Sequence, residues 1–447
     1  MADIFVLTDN NGNLLPPLQQ ASVLAKYSRS PDSARTLLEQ IDESKAESFQ
    51  EKWIVGFGHS SIAELCSIPV CFEGVSIIAS KVIERLQRPG VSEKSTRMQE
   101  FDKDSMYWPA GMSNSDKNIL EPRVNNCFTW YDNLMPKVRQ FVSDKINEPL
   151  DSQVVKRATF DALRGLLPAG IKTNLGINAY PRDISWLISY MLGSNNCELV
   201  DIGSGLKNAV EKIGGPLIRH TEANKWLSHW DVKRIDSSRG EFNSGPGINE
   251  PGTTIIYNRP TDYVVDYEAQ GKFIQDALIM HGMDWNDFTK LMYERPEKCE
   301  VPDIFKTIRV KFDILMSYGS FRDLQRHRRC EQFVEPLGVN YGFAIPDIIR
   351  SSPFADQYVS CFKKYMSITE ADIDDEAYFQ YGVPIGFLYK FCFDMDLKEL
   401  YYIVELRTQP QGHPEYRHIA YSMFKSAINR FPLLMQWCRP CLENIND

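Results

Sequence analysis

The chain has 447 residues, of which 43% are hydrophobic, 12% aromatic and 24% charged. At roughly 100 to 200 residues per domain that is room for two or three domains, and it excludes a peptide hormone, a single small module and a disordered chain. Fifty Lys and Arg against 59 Asp and Glu leave a net charge of -9; this field repels nucleic-acid backbones and anionic lipid, so an anionic ligand must be held by a local cluster of arginines.

No apolar run approaches the roughly 18 residues of a membrane span, and the start, MADIFVLTDN, carries neither the basic nor the apolar region of a secretory signal. The expectation is a cytoplasmic protein with neither membrane nor nucleic acid as partner. Most of the ten Cys, such as Cys66 and Cys71, lie scattered in apolar neighbourhoods and read as reduced core residues. Cys438 and Cys441 form a lone CxxC, which falls short of the four ligands of a closed zinc site, so no metal is expected.

In chain order, the first constellation is Gly58-His59-Ser60-Ser61 with Glu64, a helix start in which Glu64 completes a capping box from Ser61. Val75, Ile78, Ala79, Val82, Ile83 and Leu86 then fall at the spacing of a helix with one buried stripe. It runs into the basic segment Arg85-Leu86-Gln87-Arg88, broken by Pro89-Gly90. The Gly-initiated loop that follows, Ser92-Glu93-Lys94-Ser95-Thr96-Arg97, offers the hydroxyls, carboxylate and guanidinium of a phosphate site, or simply turn chemistry. Next come DALRGLLPAG, a strand-like run, and the amphipathic helix RDISWLISYML with Ile184, Leu187, Ile188, Met191 and Leu192 on one face.

Asp236 to Thr254 loses all apolar period and reads as a linker, which divides the chain into domains 1–235 and 255–447. The second half repeats the order of the first. FDILMSYGSFRDLQ runs into Arg326-His327-Arg328-Arg329 where the first half has Arg85 to Arg88, and YFQYGVPIGFLYKF then DLKELYYIVELR follow, with Pro384 in the place of Pro168. Between these landmarks the second copy is shorter by about 25 residues, a tolerable loop deletion. Guanidinium forks flanking an imidazole suit phosphates and electron-rich ring edges, although Arg326 to Arg329 also read as a solvated basic face. Arg407 ends one helix and Glu415 starts another; Glu405, Arg407, Glu415 and Arg417 there read by default as solvated charges.

These clusters, in this order, resemble the flavin-dependent thymidylate synthases, the type without a thiol nucleophile. Arg326-His327-Arg328 matches that family's RHR triplet, and His59, Ser61 and Glu64 match its GHxSxxE segment. Arg88 to Lys94 keeps the spacing that leads to Ser95 and Arg97; Ala162-Leu163-Arg164 with Leu167-Pro168 resembles ARxxLP; Leu406-Arg407 and Pro414-Glu415-Tyr416-Arg417 match the terminal segment. The resemblance implies an α+β fold of two tandem thymidylate-synthase-complementing-type domains, each with helices packed on a mostly antiparallel sheet. It also implies FAD as cofactor, NADPH and methylenetetrahydrofolate as co-substrates, and C5 methylation of dUMP to dTMP.

On the same basis Arg326, His327, Arg328 and His59 would contact the flavin. Glu93, Ser95, Arg97, Arg164 and Arg407 would bind the pyrimidine nucleotide, with Arg164, Arg407 and Ser95 in the catalytic set. The two copies depart from the pattern in complementary ways. The second has Pro336 at the Ser95 position, Glu300 at that of His59 and Gln380 at that of Arg164; the first has Leu86 at the triplet's histidine, Met98 in place of a Tyr, and Met191 at the position of Arg407. Flavin and nucleotide residues would then be divided between the copies, and a homodimer of tandem chains would form a pseudo-tetramer. C5 modification of another pyrimidine nucleotide, and a catalytically silent nucleotide binder, are the alternatives.

Overall fold

The computed structural model describes residues 4–9, 11–28, 30–41, 46, 60–227, 256–260, 267–280, 282–366 and 372–443. His59 and the Asp236–Thr254 linker lie outside the described residues. Helices and antiparallel strands divide into two compact units, an α+β architecture as expected. The first unit comprises 1–94, 107–111 and 172–233, and the second 95–106, 112–171 and 234–447. The sequence repeat and the compact unit are thus different divisions, since the second unit takes in a long stretch of the first half. Among the described residues no helix is long and apolar enough to cross a membrane.

Each unit is built on one sheet. In the first, β1 (Ile68–Ser76), β2 (Gly90–Glu93) and β3 (Lys172–Ala179) pair in the order β1-β3-β2, all antiparallel. In the second, β4 (Ile256–Pro260), β5 (Arg309–Ser317), β6 (Glu331–Val334) and β7 (Leu388–Asp396) pair in the order β4-β5-β7-β6. The offset that carries Arg85 to Arg326 carries β1 onto β5 and β2 onto β6; the offset from Pro168 to Pro384 carries β3 onto β7. The three-stranded motif is therefore repeated strand for strand, and β4 has no counterpart among the described residues of the first unit. A bulge between Phe72 and Val75 breaks the register of β1, where Gly74 adopts a φ of 70° that only glycine takes readily. β5 has no such break, so the residues ahead of the bulge face the partner strand one position out of step with their counterparts.

A strand enters a helix in the same way in both units. Ser76 ends β1 and caps the helix Ile77–Ile83 by accepting from the Ala79 N–H; Ser317 ends β5 and caps Tyr318–Leu324 by accepting from the Ser320 N–H. A carboxylate from a later helix locks each corner. Glu198 accepts from the Ser76 N–H at 2.8 Å and its hydroxyl at 2.6 Å. Glu415 accepts from the Ser317 N–H at 2.6 Å, from its hydroxyl at 2.5 Å and from the Ser320 hydroxyl at 2.8 Å. The helices Pro181–Leu192 and Leu397–Arg407 follow β3 and β7 and cover the sheets. Ile184, Leu187, Ile188 and Met191 are fully buried, as the spacing predicts, with Leu192 packed partly against them. The first core is largely aliphatic, whereas the largest buried side chains of the second are aromatic, Phe312, Phe321, Phe362, Phe387 and Phe391 among them.

Within the second unit the two repeats meet through backbone. Pro168 and Pro384, equivalent landmarks in sequence, face each other in an antiparallel bridge. Around them the Ala169 N–H donates to the Val383 carbonyl and the Ile385 N–H to that of Leu167, each at 2.8 Å. The Gly170 N–H donates to Tyr381 at 2.7 Å and the Gly386 N–H to Gly165 at 2.8 Å. These bonds form symmetric couples, so residues 165–170 and 381–386 cross on a local two-fold axis. The approach needs glycine: a Cβ on Gly165 would stand 2.5 Å from the Tyr358 hydroxyl, and one on Gly386 2.8 Å from the Gly165 carbonyl.

Several local expectations are corrected. Val75 belongs to β1, and the helix begins only at Ile77, because Ser76 and Glu198 fix the chain's turn there. Ser92 and Glu93 lie in β2 rather than in a loop. Ser60–Glu64 forms a 3-10 helix, and Glu64 is engaged by Arg88 at 3.0 Å and Arg182 at 2.8 Å, where the sequence suggested a capping box. Cys66 is buried, but Cys71 is exposed, since it alternates to the outer face of β1, and Cys299 is exposed too. Glu405 and Glu415 are not solvated charges: Arg295 grips Glu405 bidentately at 2.5 and 3.0 Å, and Glu415 locks the corner at Ser317.

Candidate active site

The second unit gathers arginines from both repeats. Arg97 stands on a turn after β2, where the Ser95 hydroxyl accepts from the Arg97 N–H at 3.2 Å, so Ser95 shapes the loop that presents this guanidinium. Asp161, on the helix Gln153–Leu163, receives Arg97 bidentately at 2.6 and 2.7 Å. Arg164 follows that helix, is buried, and donates to Asp323 at 3.1 and 3.2 Å. Burial opposes ionisation of Asp323, yet Arg164 and Arg97 outweigh it and hold the carboxyl at about 2. The same contest leaves Asp161 below the ordinary carboxylate range.

The second repeat supplies the other wall. Tyr416 is buried with its ring between two guanidinium groups, 5.9 Å from Arg97 and 5.3 Å from Arg407. His413 caps the helix Pro414–Arg430: its Nδ1 accepts from the Glu415 N–H at 3.3 Å, which leaves the proton on Nε2, 3.4 Å from the Asp161 carbonyl. Burial and the Arg164 charge push its pKa down to about 4, so the ring is neutral. Arg407 ends the helix Leu397–Arg407, and its Nε donates to His327 Nε2 at 2.7 Å. Burial, then the Arg407 charge, holds His327 well below its ordinary pKa. Arg407 therefore has a neutral imidazole as its hydrogen-bond partner and, among the described residues, no carboxylate in ion-pair contact. It is a partly buried positive charge ready for an electron-rich ligand.

Beside Arg97 opens a cavity of about 530 Å³, of the size that takes a small organic ligand. Arg139, Lys156 and Arg157 line it with Glu100 and Phe160. Glu100 accepts from Arg139 at 2.6 Å and the Gln411 carbonyl from Arg157, while Lys156 is half-buried without an ion-pair partner among the described residues. A chain of net charge -9 thus concentrates cations here, which is the local cluster that an anionic ligand requires.

Not every expected site residue joins this cluster. Arg97, Arg164, His327 and Arg407 come together in it, with Ser95 supporting Arg97. Arg326 is exposed and Arg328 half-buried on the turn beyond Tyr318–Leu324, whereas the His327 ring between them points inward and is only 4% exposed. Leu324 and Leu86, the expected core positions at the two helix ends, are both buried. Glu93 lies in the first unit, its side chain buried on Lys81 at 3.0 Å and on the Ser80 hydroxyl at 2.7 Å, as a structural ion pair. Sequence reasoning missed Asp161, Asp323 and Glu399. Asp161 and Asp323 carry a signal after the fact, since each sits near a motif arginine, Arg164 or Arg326, on the preceding helix.

The α+β chain repeats its strand-helix corner in both units and gathers partly buried arginines in the second. The sequence pattern of the family described as thymidylate synthase complementing protein matches residues 15–196 and 280–433, one stretch in each half. The chain belongs to that family, as two tandem copies. It is 26% identical to a UPF0159 protein of Chlamydia pneumoniae, with 97% of this chain and 90% of that protein covered. A UPF0159 protein of Chlamydia muridarum is 28% identical over 94% of this chain and 89% of its own length. One from Thermoplasma acidophilum is 26% identical over 93% and 94%. Among solved structures, flavin-dependent thymidylate synthase ThyX of Helicobacter pylori, in complex with FAD and dUMP, aligns with 46% of this chain and 95% of its own at 15% identity and a TM-score of 0.32. A second structure of that protein with FAD and dUMP covers 46% and 96% at 16% identity and a TM-score of 0.30.

Proposed function

We propose that the chain is a FAD-dependent methyltransferase that converts dUMP to dTMP with methylenetetrahydrofolate and NADPH. The observation that carries this reading is the meeting, in one compact unit, of Arg97 and Arg164 from the first repeat with Arg407 and His327 from the second. These are complementary survivors of one motif set, and each repeat alone lacks part of it. Two such chains would then supply the four copies of a pseudo-tetramer.

The residues present fit a flavin by their donor set. Arg326 and Arg328 offer guanidinium forks on an accessible turn, suited to a diphosphate and to the electron-rich edge of a heteroaromatic ring. His59 would join them from outside the described residues. When bound, the flavin supplies the hydride chemistry. The chain's own groups do the rest. Arg97, braced by Asp161 and presented by Ser95, would take the nucleotide phosphate, with Lys156 and Arg139 deepening the positive potential behind it. Arg407 would donate to a pyrimidine carbonyl oxygen and stabilise the enolate form of the ring, in which electron density builds at C5, and Arg164, fixed by Asp323, would orient the ring. No cysteine is needed, and among the described residues Cys330 and Cys392 have thiols pushed up by burial to about 12, too basic to act as thiolates.

The test is an absorbance spectrum of the purified protein from about 300 to 550 nm, then anaerobic NADPH with and without dUMP. A bound flavin that bleaches faster with dUMP supports the reading; no flavin after reconstitution overturns it. Arg326→Ala should lower flavin content while sparing nucleotide binding, and Arg97→Ala should do the reverse.

A further inference from the structure

Glu399 belongs to no motif, yet it ends a buried chain of hydrogen bonds that leads to Arg407. Its Oε1 lies 3.2 Å from His327 Nδ1, and His327 Nε2 lies 2.7 Å from Arg407 Nε. The Glu399 and His327 side chains are 6% and 3% exposed. A guanidinium N–H can only donate, so Nε2 must be the accepting nitrogen; the single proton of the neutral ring is then on Nδ1, where it is donated to Glu399. We infer that Glu399 is a positioning residue, which fixes the tautomer of His327 and through it orients Arg407 toward the nucleotide.

The first repeat supplies the contrast. The positions equivalent to His327, Glu399 and Arg407 are Leu86, Asp183 and Met191. Leu86 and Met191 are buried in the aliphatic core, and Asp183 pairs with Arg88 at 2.9 Å instead. Imidazole and guanidinium are both lost, and the remaining acid points elsewhere. A His327 held only as a flavin contact would need no acid behind it, and a Glu399 held only as a helix acid would need no imidazole.

The chain is built to respond to pH. Burial pushes Glu399 up to about 7, with Glu300 adding to the rise and Arg329 opposing it. The charged groups packed around it are Arg329 on the turn, Glu300 with Lys398 and Asp303 at the helix start, and Arg407 beyond His327. Cys330, whose Sγ donates to the His327 carbonyl at 2.6 Å, also faces the acid and stays a thiol. Above pH 7 the carboxylate holds the proton on Nδ1. Below it, a protonated Glu399 can donate to Nδ1, which would place the ring proton on Nε2 against Arg407 Nε–H and release the guanidinium.

The inference rests on Arg407 as a nucleotide ligand, so its test has two readouts. The first is the His327 ring tautomer in the full chain by nitrogen-15 NMR at pH 8, assigned with His327→Gln. The second is calorimetric dUMP affinity at pH 8 and pH 6 for the wild type, Glu399→Gln and Glu399→Leu. Expected are an Nδ1–H ring at pH 8 and, in the wild type, dUMP binding weakened at pH 6 by about tenfold more than in Glu399→Gln. Glu399→Leu should weaken it at pH 8 by about tenfold, the scale of one hydrogen bond to a charged group, and Glu399→Gln, which keeps an acceptor for Nδ1–H, should restore it. An Nε2–H ring in the wild type, or unchanged affinity in Glu399→Leu, overturns the inference. If the wild type does not bind dUMP, the nucleotide reading fails, and the tautomer alone decides the relay.

Discussion

The two sheets of this chain keep the same corner and have parted over what surrounds it. At Ser76 and at Ser317 a strand ends, a hydroxyl caps the next helix, and a carboxylate from a later helix, Glu198 or Glu415, accepts from the same N–H and hydroxyl. Around the first corner the facing positions have become aliphatic, Leu86 and Met191; around the second they are His327 and Arg407, with Asp161 and Asp323 bracing further arginines. A buried polar lock cannot be removed piecemeal without leaving an unsatisfied group, whereas ligand-facing residues can be traded for apolar ones of similar bulk. The lock marks the fold, and the arginines mark the site.

That contrast can be broken in several ways. The largest effect should come from the locks: Glu198→Ala and Glu415→Ala each strand buried Ser groups and should destabilise by about 3 kcal/mol in urea unfolding. A loss confined to Glu415 would show that only the second corner depends on its carboxylate. Next, Asp323 has a folded pKa of about 2 against an ordinary 3.8. A depressed acid contributes stability that is fully present above pH 3.8 and lost as pH falls through 2. Asp323→Asn should thus cost about 2 kcal/mol at pH 6 and progressively less toward pH 2, with no such window for Asp183, whose pKa is raised. Gly386→Ala, which drives a methyl into the crossing, should cost about 1–2 kcal/mol. The smallest change sharpens the assignment of function to one unit: Lys156→Ala should weaken dUMP binding about fivefold by titration calorimetry, while Arg85→Ala in the first unit leaves it as it was.

Much of the architecture was legible because landmarks repeat. The correspondence of Arg85 with Arg326 and of Pro168 with Pro384 anticipates where β1 and β5, and β3 and β7, fall. Gly74 gave no warning of the bulge, since its positive φ is a backbone property with no sequence period. Of the site, the motif arginines were visible and their braces were not. Asp161 lies three residues before Arg164, outside the Ala162-Leu163-Arg164 segment that resembles the family pattern. Glu399 was hidden by a plausible local role, since Asp396 caps that helix by accepting from the Glu399 N–H, and the pair reads as a first-turn cap. The resemblance to the family's RHR triplet puts His327 on the flavin; the chain reversal after Leu324 turns its ring inward.

The crossing of residues 165–170 with 381–386 has a consequence for how such a chain can change. Backbone bonds of this two-fold kind between separate identical chains would form only as often as the chains met, and any mutation would strike both sides at once. Tethered on one polypeptide, the partners are always present, at an effective concentration set by the folded chain between them rather than by expression. Each side is also encoded by its own codons. Gly165 and Tyr381 hold equivalent places in the crossing, one accepting from Gly386 and the other from Gly170, and one bare and one bulky residue there is an asymmetry that a symmetric pair of chains could not adopt.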